Sequence, residues 1–210
     1  MDQKHPFYQR ATEIQYLQDA LDRVRRECSR MIVVFGHLCA SKTRFVNEAF
    51  ANIPEPSFFL YVNKDMTIEG NLKAFCADND KTWETSSANT VPTSFEELIN
   101  ELLVRSETTP LVLVVDTIEN FRSVDSSFFS VLQKLRDRRR KSTRMLLVLT
   151  GRKVDGFFNN INARFCGRTG TQSVLLLFSM VTVRRILCDY NPKWTTENLM
   201  MVHMITGSVA

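Results

Sequence analysis

The sequence predicts an α/β fold in which a mostly parallel β-sheet carries helices on both faces. Short, continuous apolar runs, typical of strands that are buried on both sides, alternate along the chain with stretches of helical periodicity. The 210 residues are enough for one substantial hydrophobic core. With 44% hydrophobic and 24% charged residues, the composition excludes a disordered or fibrous protein.

The first part of the chain contains one βαβ unit. An amphipathic helix is expected at residues 11–28, because apolar residues recur there three or four positions apart, and Thr12 is its expected N-cap. Strand and helix then alternate, which favours a right-handed crossover between two parallel strands. These elements are the strand Met31–Phe35, the helix Lys42–Phe50 and the strand Phe58–Val62.

The alternation resumes after an irregular stretch. Residues 63–93 are polar, and we expect a helix only at Leu72–Cys76, followed by a loop to Pro92. A capping-box spacing within Thr93–Glu97 begins the next helix, which runs to about Arg105. The remaining elements are the strand Leu111–Val115, the helix Phe128–Arg139, the strand Met145–Leu149 and a further strand at Val174–Leu177.

The pattern changes near residue 179, where strands give way to helices. Val181–Cys188 and Thr196–Met204 are both expected to be helical. We therefore expect two units, a core of residues 1–178 and, at residues 179–210, the start of a helical lid that is truncated.

Composition also bears on the environment of the protein. The 5 cysteines include no C-x-x-C pair, which indicates reduced thiols rather than a disulfide framework or a zinc site. The polar N-terminus and the lack of an apolar run near ~20 residues predict a soluble, cytoplasmic protein without membrane contact. The net charge of +4 permits contact with phosphates without requiring it.

A loop with a phosphate-binding pattern follows the first strand. Residues 36–43 have the sequence G-H-L-C-A-S-K-T, which fits G-x-x-x-x-G-K-[ST] except that Ser41 replaces the last glycine. In such a loop, backbone N–H groups surround the phosphates, Lys42 neutralises the β- and γ-phosphates, and the Thr43 hydroxyl binds Mg²⁺. The expected nucleotide-binding residues of the loop are Gly36, His37, Leu38, Cys39, Ala40, Ser41, Lys42 and Thr43.

The serine at position 41 departs from this pattern at a sensitive point. Its side chain crowds the phosphates, and a left-handed backbone there costs roughly 1–2 kcal/mol. The loop nevertheless lies between a buried strand and a helix, which predicts a three-layer P-loop NTPase fold. The alternative is an ordinary strand–helix turn in which Lys42 is solvated.

An acidic residue ends the strand Leu111–Val115. Asp116 has the place of a Walker B aspartate, which holds Mg²⁺ through water, so Thr43 and Asp116 form the expected metal site. ATPases usually place a glutamate next to this aspartate to polarise the attacking water, and this chain has Thr117 there. Glu119 is the candidate substitute, so Asp116 and Glu119 are the candidate catalytic residues. The alternative is that Asp116 only terminates the strand.

Two further residues are candidates for sensing a phosphate. Thr150 follows the strand Met145–Leu149, where many such ATPases place a polar residue that contacts the γ-phosphate, although a threonine there is more often a turn residue. Arg168 either faces a phosphate or is a solvated loop arginine.

A basic run lies at residues 136–144. It closes a helix, where cations meet the negative end of the helix dipole, and it contains no aromatic residue for base stacking. A solvated helix terminus is therefore favoured over a nucleic-acid-binding site.

Together these motifs resemble the archaeal-type ATPases of the AAA+/STAND group, over nearly the whole chain. Residues 7–14 (F-Y-Q-R-A-T-E-I) are similar to the family opening F-x-G-R-E-x-E, which lies near the adenine and implies that Arg10 contacts the nucleotide. Residues 116–121 (D-T-I-E-N-F) are similar to the Walker B segment D-E-[hydrophobic]-Q-x-[hydrophobic]. Residues 150–152 stand at the family's G-S sensor segment, and residues 204–210 resemble the end of its lid.

The departures from the family are concentrated at positions that contact nucleotide. Ser41 replaces the loop glycine, Thr117 the catalytic glutamate and Arg152 the sensor serine, while Gln9 and Ala11 replace the glycine and glutamate of the opening. The resemblance thus implies the fold and a set of residues that bind ATP and Mg²⁺. It does not imply that this chain hydrolyses ATP.

The leading hypothesis is a Mg·ATP-dependent conformational switch with weak or lost hydrolysis, acting on an unidentified protein partner. One alternative is a degenerate ATPase that binds no nucleotide and serves as a protein-interaction module. The other is a nucleic-acid-binding fragment, which this part of the chain alone does not favour.

Overall fold

The described part of the protein is built around a five-stranded parallel β-sheet with strand order β2-β3-β4-β1-β5. The computed structural model describes residues 10–36, 41–83, 91–152, 171–175, 179–191 and 193–206. Its strands are β1 (Arg30–Gly36), β2 (Ser57–Tyr61), β3 (Leu111–Asp116), β4 (Met145–Arg152) and β5 (Thr171–Leu175). The parallel sheet confirms the predicted α/β fold.

The helix α1 precedes the first strand, and the other helices lie between and after the strands. A 3₁₀ turn, Ile118–Asn120, follows β3. The helices are α1 (Ala11–Arg26), α2 (Lys42–Phe50), α3 (Ile68–Asp78), α4 (Asp80–Trp83), α5 (Phe95–Thr108), α6 (Phe121–Val124), α7 (Phe128–Arg139), α8 (Met180–Tyr190) and α9 (Thr196–Thr206).

The two faces of the sheet bury separate hydrophobic layers because successive side chains of a strand point to opposite sides. In β1, Met31, Val33 and Phe35 pack with α3 to α7, whereas Ile32 and Val34 pack with α1 and α2. The result is the three-layer arrangement that the sequence predicts.

Aromatic packing fixes the chain just after β3. Phe121 is fully buried, its ring stacks on Phe128 at a centroid distance of 3.7 Å, and it meets the ring of Phe95 edge-on at 5.0 Å. These contacts anchor the 3₁₀ turn and α6 against α5 and α7, and thereby the residues that follow Asp116.

The structure corrects the prediction for residues 63–93. The first helix there is longer than Leu72–Cys76 because Thr67 caps it, its Oγ1 accepting a hydrogen bond from the Gly70 N–H at 3.1 Å. The predicted loop also contains α4, in which Trp83 packs edge-on against Phe75 at 5.3 Å. Residues 84–90 lie outside the described residues.

The C-terminal part contains the two helices that were expected, α8 and α9. The separation of a core at residues 1–178 from a lid at residues 179–210 stays a prediction. Within the ranges given above, none of the helices combines the length and the apolarity that a bilayer crossing needs.

Candidate functional site

The candidate site lies at the edge of the sheet where the strands β1, β3 and β4 end. In the register of the sheet, Val115 pairs with Leu149, and Gly36 pairs with Arg152. The residues that follow Val115 and Leu149, Asp116 and Thr150, are therefore neighbours. In open α/β sheets, ligands bind in the crevice outside this carboxyl edge.

Asp116 accepts hydrogen bonds on both of its carboxylate oxygens. The Thr43 hydroxyl, in the first turn of α2, donates to Oδ2, and the Thr150 hydroxyl donates to Oδ1. The backbone N–H of Thr117 also donates to Oδ1, at 2.8 Å. Because Asp116 is only 6% exposed, these donors replace the water that would otherwise solvate its charge.

Thr150 lies within β4 rather than in a turn, and its side chain is fully buried. A buried hydroxyl needs a hydrogen-bond partner, and Asp116 supplies it. The structure therefore brings three of the residues predicted for the site, Thr43, Asp116 and Thr150, into direct contact.

The loop that the sequence predicts to bind phosphate is described only at its two ends. Lys42 begins α2, and its Nζ lies 3.5 Å from the carbonyl oxygen of Gly36, the last residue of β1. Ser41 is the N-cap of α2 and has a left-handed backbone, with φ 47° and ψ 37°. The predicted nucleotide-binding residues His37, Leu38, Cys39 and Ala40 lie outside the described residues, as does Arg168.

Arg10 lies at the N-terminus of α1, where Thr12 was expected to be the N-cap. That prediction is wrong, because Arg10 is the N-cap, with a left-handed φ of 93° and no side-chain capping bond. The Arg10 side chain is buried, and burial lowers the pKa of its guanidinium from the ordinary value while Glu13 partly offsets the shift.

Glu119 lies in the 3₁₀ turn and is held by the end of β4. Its Oε1 accepts a hydrogen bond from Nε of Arg152 at 2.7 Å, and its Oε2 accepts one from the Arg152 backbone N–H at 3.2 Å. A Cβ at Gly151 would come within 2.7 Å of Ile118 and 2.9 Å of Glu119, so only glycine allows this approach. The carboxylate of this candidate catalytic residue is thus in an ion pair.

Arg152 also lies at this carboxyl edge of the sheet. The sequence motifs identified it only as the residue that replaces the serine of the family's sensor segment. The signal that could have found it is the two-residue period of a strand, which places Arg152 on the same face as Thr150.

Thr117 has the place of the family's catalytic glutamate. Its backbone is left-handed, with φ 56° and ψ 46°, which is unusual for a β-branched residue. Its hydroxyl lies 2.8 Å from the carbonyl oxygen of Val62 and 2.7 Å from that of Asp116. The side chain therefore satisfies backbone groups between β2 and β3 and carries no carboxylate.

Comparison with known proteins identifies the family. The family model of the AAA ATPase domain matches residues 6–148 of the chain. The chain belongs to this family. It is thus a member of a nucleotide-binding P-loop ATPase family, as the sequence motifs predict. A search of curated proteins returned no match.

Solved structures share the fold of this AAA ATPase domain. A Walker-type ATPase of Pyrococcus abyssi superposes with a TM-score of 0.69 at 13% identity, covering 98% of this chain and 65% of that one. Cdc6p from Pyrobaculum aerophilum superposes with a TM-score of 0.66 at 17% identity, covering 96% of this chain and 56% of that one. A STAND protein with a tetratricopeptide-repeat sensor from Pyrococcus horikoshii superposes with a TM-score of 0.56 at 14% identity, covering 97% of this chain and 28% of that one. The chain thus spans less than two thirds of each of these proteins.

The donor set of the AAA ATPase domain fits a magnesium ion. Mg²⁺ in nucleotide sites takes one or two carboxylates and hydroxyls together with water and phosphate oxygens. Thr43 and Asp116 present such oxygens next to each other. Among the described residues, no group of three or more His, Cys, Asp or Glu side chains forms a separate metal site.

The basic run at residues 136–144 lies elsewhere, where α7 leads into the amino end of β4. Arg136 is buried and its Nη1 lies 3.5 Å from the sulfur of Met31. Arg139 pairs with Glu107 at 2.8 Å, and Arg144 donates to the carbonyl oxygen of Thr108 at 2.6 Å. Two of these cations thus contact the end of α5, and Arg136 is buried rather than solvated, so the interpretation of this run as a solvated helix terminus does not hold for Arg136.

The strain at Ser41 gives a test. We expect Ser41→Gly to raise the free energy of unfolding by about 0.5–1 kcal/mol. Glycine relieves the strain of the left-handed backbone, and this gain in free energy is larger than the cost of the extra conformational entropy that glycine gives the unfolded chain. Urea denaturation measures this change. The exposed Ser126 lies outside the left-handed region, so Ser126→Gly should lower the stability instead. Equal losses in both variants would contradict the assignment of strain to Ser41.

Proposed function

We propose that this domain binds Mg·ATP and hydrolyses it weakly or not at all, so that the bound nucleotide acts as a conformational switch. The observation that carries the proposal is the hydrogen-bonded set of Thr43, Asp116 and Thr150, next to Lys42 at the carboxyl edge of the sheet.

Each of these residues has a role that its position supports. The Lys42 ammonium group stands at the N-terminus of α2, where it would neutralise the β- and γ-phosphates. Thr43 and Asp116 would hold a hydrated Mg²⁺, which supplies charge neutralisation for the triphosphate when it is bound. Thr150 orients the Asp116 carboxylate through its hydrogen bond. Arg10, at the N-terminus of α1, is proposed to contact the nucleotide as the family resemblance implies.

The proposal of weak hydrolysis rests on two residues. In ATPases, the water molecule that attacks the γ-phosphate is usually oriented by a carboxylate, which can also accept its proton. Thr117 has no carboxylate, and the carboxylate of Glu119 is paired with Arg152. Neither group is therefore poised to activate water, although the binding residues remain.

We also propose that residues 179–210 are the start of a helical lid over this site, and that the domain works with a protein partner. The lid helices leave several apolar side chains exposed, with Val181 77%, Met200 56% and Met201 60% exposed. Exposed apolar residues on neighbouring helices favour contact with another protein or segment. The same observation supports the second candidate function, an interaction module that binds no nucleotide.

Calorimetric titration separates these two functions. We expect Mg·ATP to release or absorb heat on binding the wild-type chain, and Lys42→Ala to weaken the binding by about tenfold or more, because it removes a charge-assisted contact. Lys141→Ala, which removes an exposed cation from the opposite edge, is the matched control and should leave the affinity unchanged. If the wild type gives no heat and no competition with a fluorescent ATP analogue, the interaction module is the better account.

Phosphate release tests the hydrolysis proposal. We expect the wild type to release phosphate from ATP slowly or not at all, and the double variant Ser41→Gly/Thr117→Glu to release it at least about tenfold faster, because a positioned general base contributes ~10²–10⁴-fold. Thr117→Gln is the matched control, since glutamine has the same size but cannot accept the proton. Rapid turnover by the wild type would refute the proposal of weak hydrolysis.

A further inference from the structure

The strand β2 lies at one edge of the sheet that the described residues form, so half of its backbone groups face away from β3. Along a strand, the N–H and C=O groups of successive residues point alternately to the two sides. The Val62 N–H donates to the carbonyl oxygen of Asp116 at 3.3 Å, so Val62 faces β3. Phe59, Tyr61 and Asn63 therefore face outward, where a free edge is a template for another strand.

Two asparagine side chains of α3 close this edge. Asn79 is the C-cap of α3, and its Oδ1 accepts a hydrogen bond from the Phe59 N–H at 2.9 Å while its Nδ2 donates to the Phe59 carbonyl oxygen at 3.0 Å. Asn71 pairs with the backbone of Asn63 in the same way, at 2.7 Å and 3.0 Å. Each side-chain amide thus makes the two hydrogen bonds that a residue of an antiparallel strand would make.

Burial holds both amides in place, since Asn71 is 1% exposed and Asn79 is 6% exposed. Each Nδ2 also donates to a carbonyl oxygen of its own helix or helix start, that of Phe75 at 2.7 Å and that of Thr67 at 3.0 Å. Phe75 lies between the two asparagines along α3, and its ring packs against that of Phe58 at a centroid distance of 6.3 Å. Asn71, Phe75 and Asn79 share one face of α3, which lies along the edge of β2.

The residue type matters at these positions. Asparagine places a donor and an acceptor side by side, as a peptide group does. Aspartate at position 79 would set a second acceptor against the Phe59 carbonyl oxygen, and leucine would leave both outward groups of Phe59 unpaired. Capping of α3 accounts for the bond from Asn79 to Phe75, whereas the two bonds to Phe59 reach another element and close its edge.

We propose that Asn71 and Asn79 prevent two copies of this chain from pairing edge to edge through β2. With both asparagines in place, the outward backbone groups of Phe59 and Asn63 are already bonded. Without Asn79, the β2 strands of two copies can pair in antiparallel fashion about a two-fold axis and join their sheets. The hydrogen bonds that close the edge involve no nucleotide, so this inference does not rest on the proposed function.

The experiment measures self-association of the full 210-residue chain by sedimentation velocity over a wide range of protein concentration. We expect Asn79→Leu to raise the association constant by at least about tenfold, because it frees both outward groups of Phe59. Hydrogen–deuterium exchange of the Phe59 and Tyr61 amides in this variant should slow as the concentration rises. The double variant Asn79→Leu/Tyr61→Pro should associate no more than the wild type, because proline removes an outward N–H and is tolerated at a sheet edge.

Two controls make the result specific. Asn47→Leu makes the same change at an exposed position on α2 and should leave the association constant unchanged. Phe75→Leu weakens the packing of α3 while both asparagines remain, so it should lower the melting temperature without causing association through β2. This variant separates a loss of stability from an open edge. If thermal melts show that Asn79→Leu does not fold, Asn79→Ser decides, since the serine hydroxyl is too short to bond both groups of Phe59.

Three results would overturn the proposal. The first is a folded Asn79→Leu variant that associates no more strongly than the wild type. The second is association of Asn79→Leu that Tyr61→Pro does not reduce, because the contact would then lie away from the β2 edge. The third is a wild type whose Phe59 and Tyr61 amides become more protected as its concentration rises, because the edge would then be open with both asparagines present.

Discussion

The buried carboxylate of Asp116 is the group on which the architecture of the site depends. It is nearly inaccessible to water, so its charge is tolerable only while hydrogen-bond donors surround it. Those donors come from α2, from β4 and from the backbone after β3. One side chain therefore ties the helix that begins at the phosphate-binding loop to the two central strands. The first turn of α2, Thr150 and the backbone that leads into the turn with Glu119 all contact it.

Backbone strain is stored on both sides of this centre. Ser41 and Thr117 have positive φ values of 47° and 56°, a region that costs a residue with a Cβ about 1–2 kcal/mol. Such strain persists only where the surrounding packing determines the backbone. At Thr117 the buried Phe121 cluster and the bond to Val62 supply that packing. Both positions are also departures from the family pattern that the sequence resembles, so the strained backbone coincides with two of the positions where this chain differs from that pattern.

Much of this could be predicted from the sequence because the controlling signals are local. Continuous apolar runs identify the strands, and parallel strands end at one edge, which is enough to bring Asp116 and Thr150 together. The pairing of Glu119 with Arg152 could not be predicted, since it depends on the left-handed backbone at Thr117 and on the absence of a side chain at Gly151. The short helix α4 was missed for a similar reason, because the tertiary packing of Trp83 stabilises it rather than local periodicity.

We propose that Asp116 and Thr43 together form a magnesium-dependent nucleotide site. The most direct test measures the affinity for ATP with Mg²⁺ and with EDTA, in the wild type and in Asp116→Asn, which retains an oxygen to accept a hydrogen bond but removes the charge. We expect the wild type to lose about tenfold or more in affinity without Mg²⁺, and Asp116→Asn to lose much less, because its metal ligand is already impaired. The same dependence on Mg²⁺ in both proteins would contradict the account.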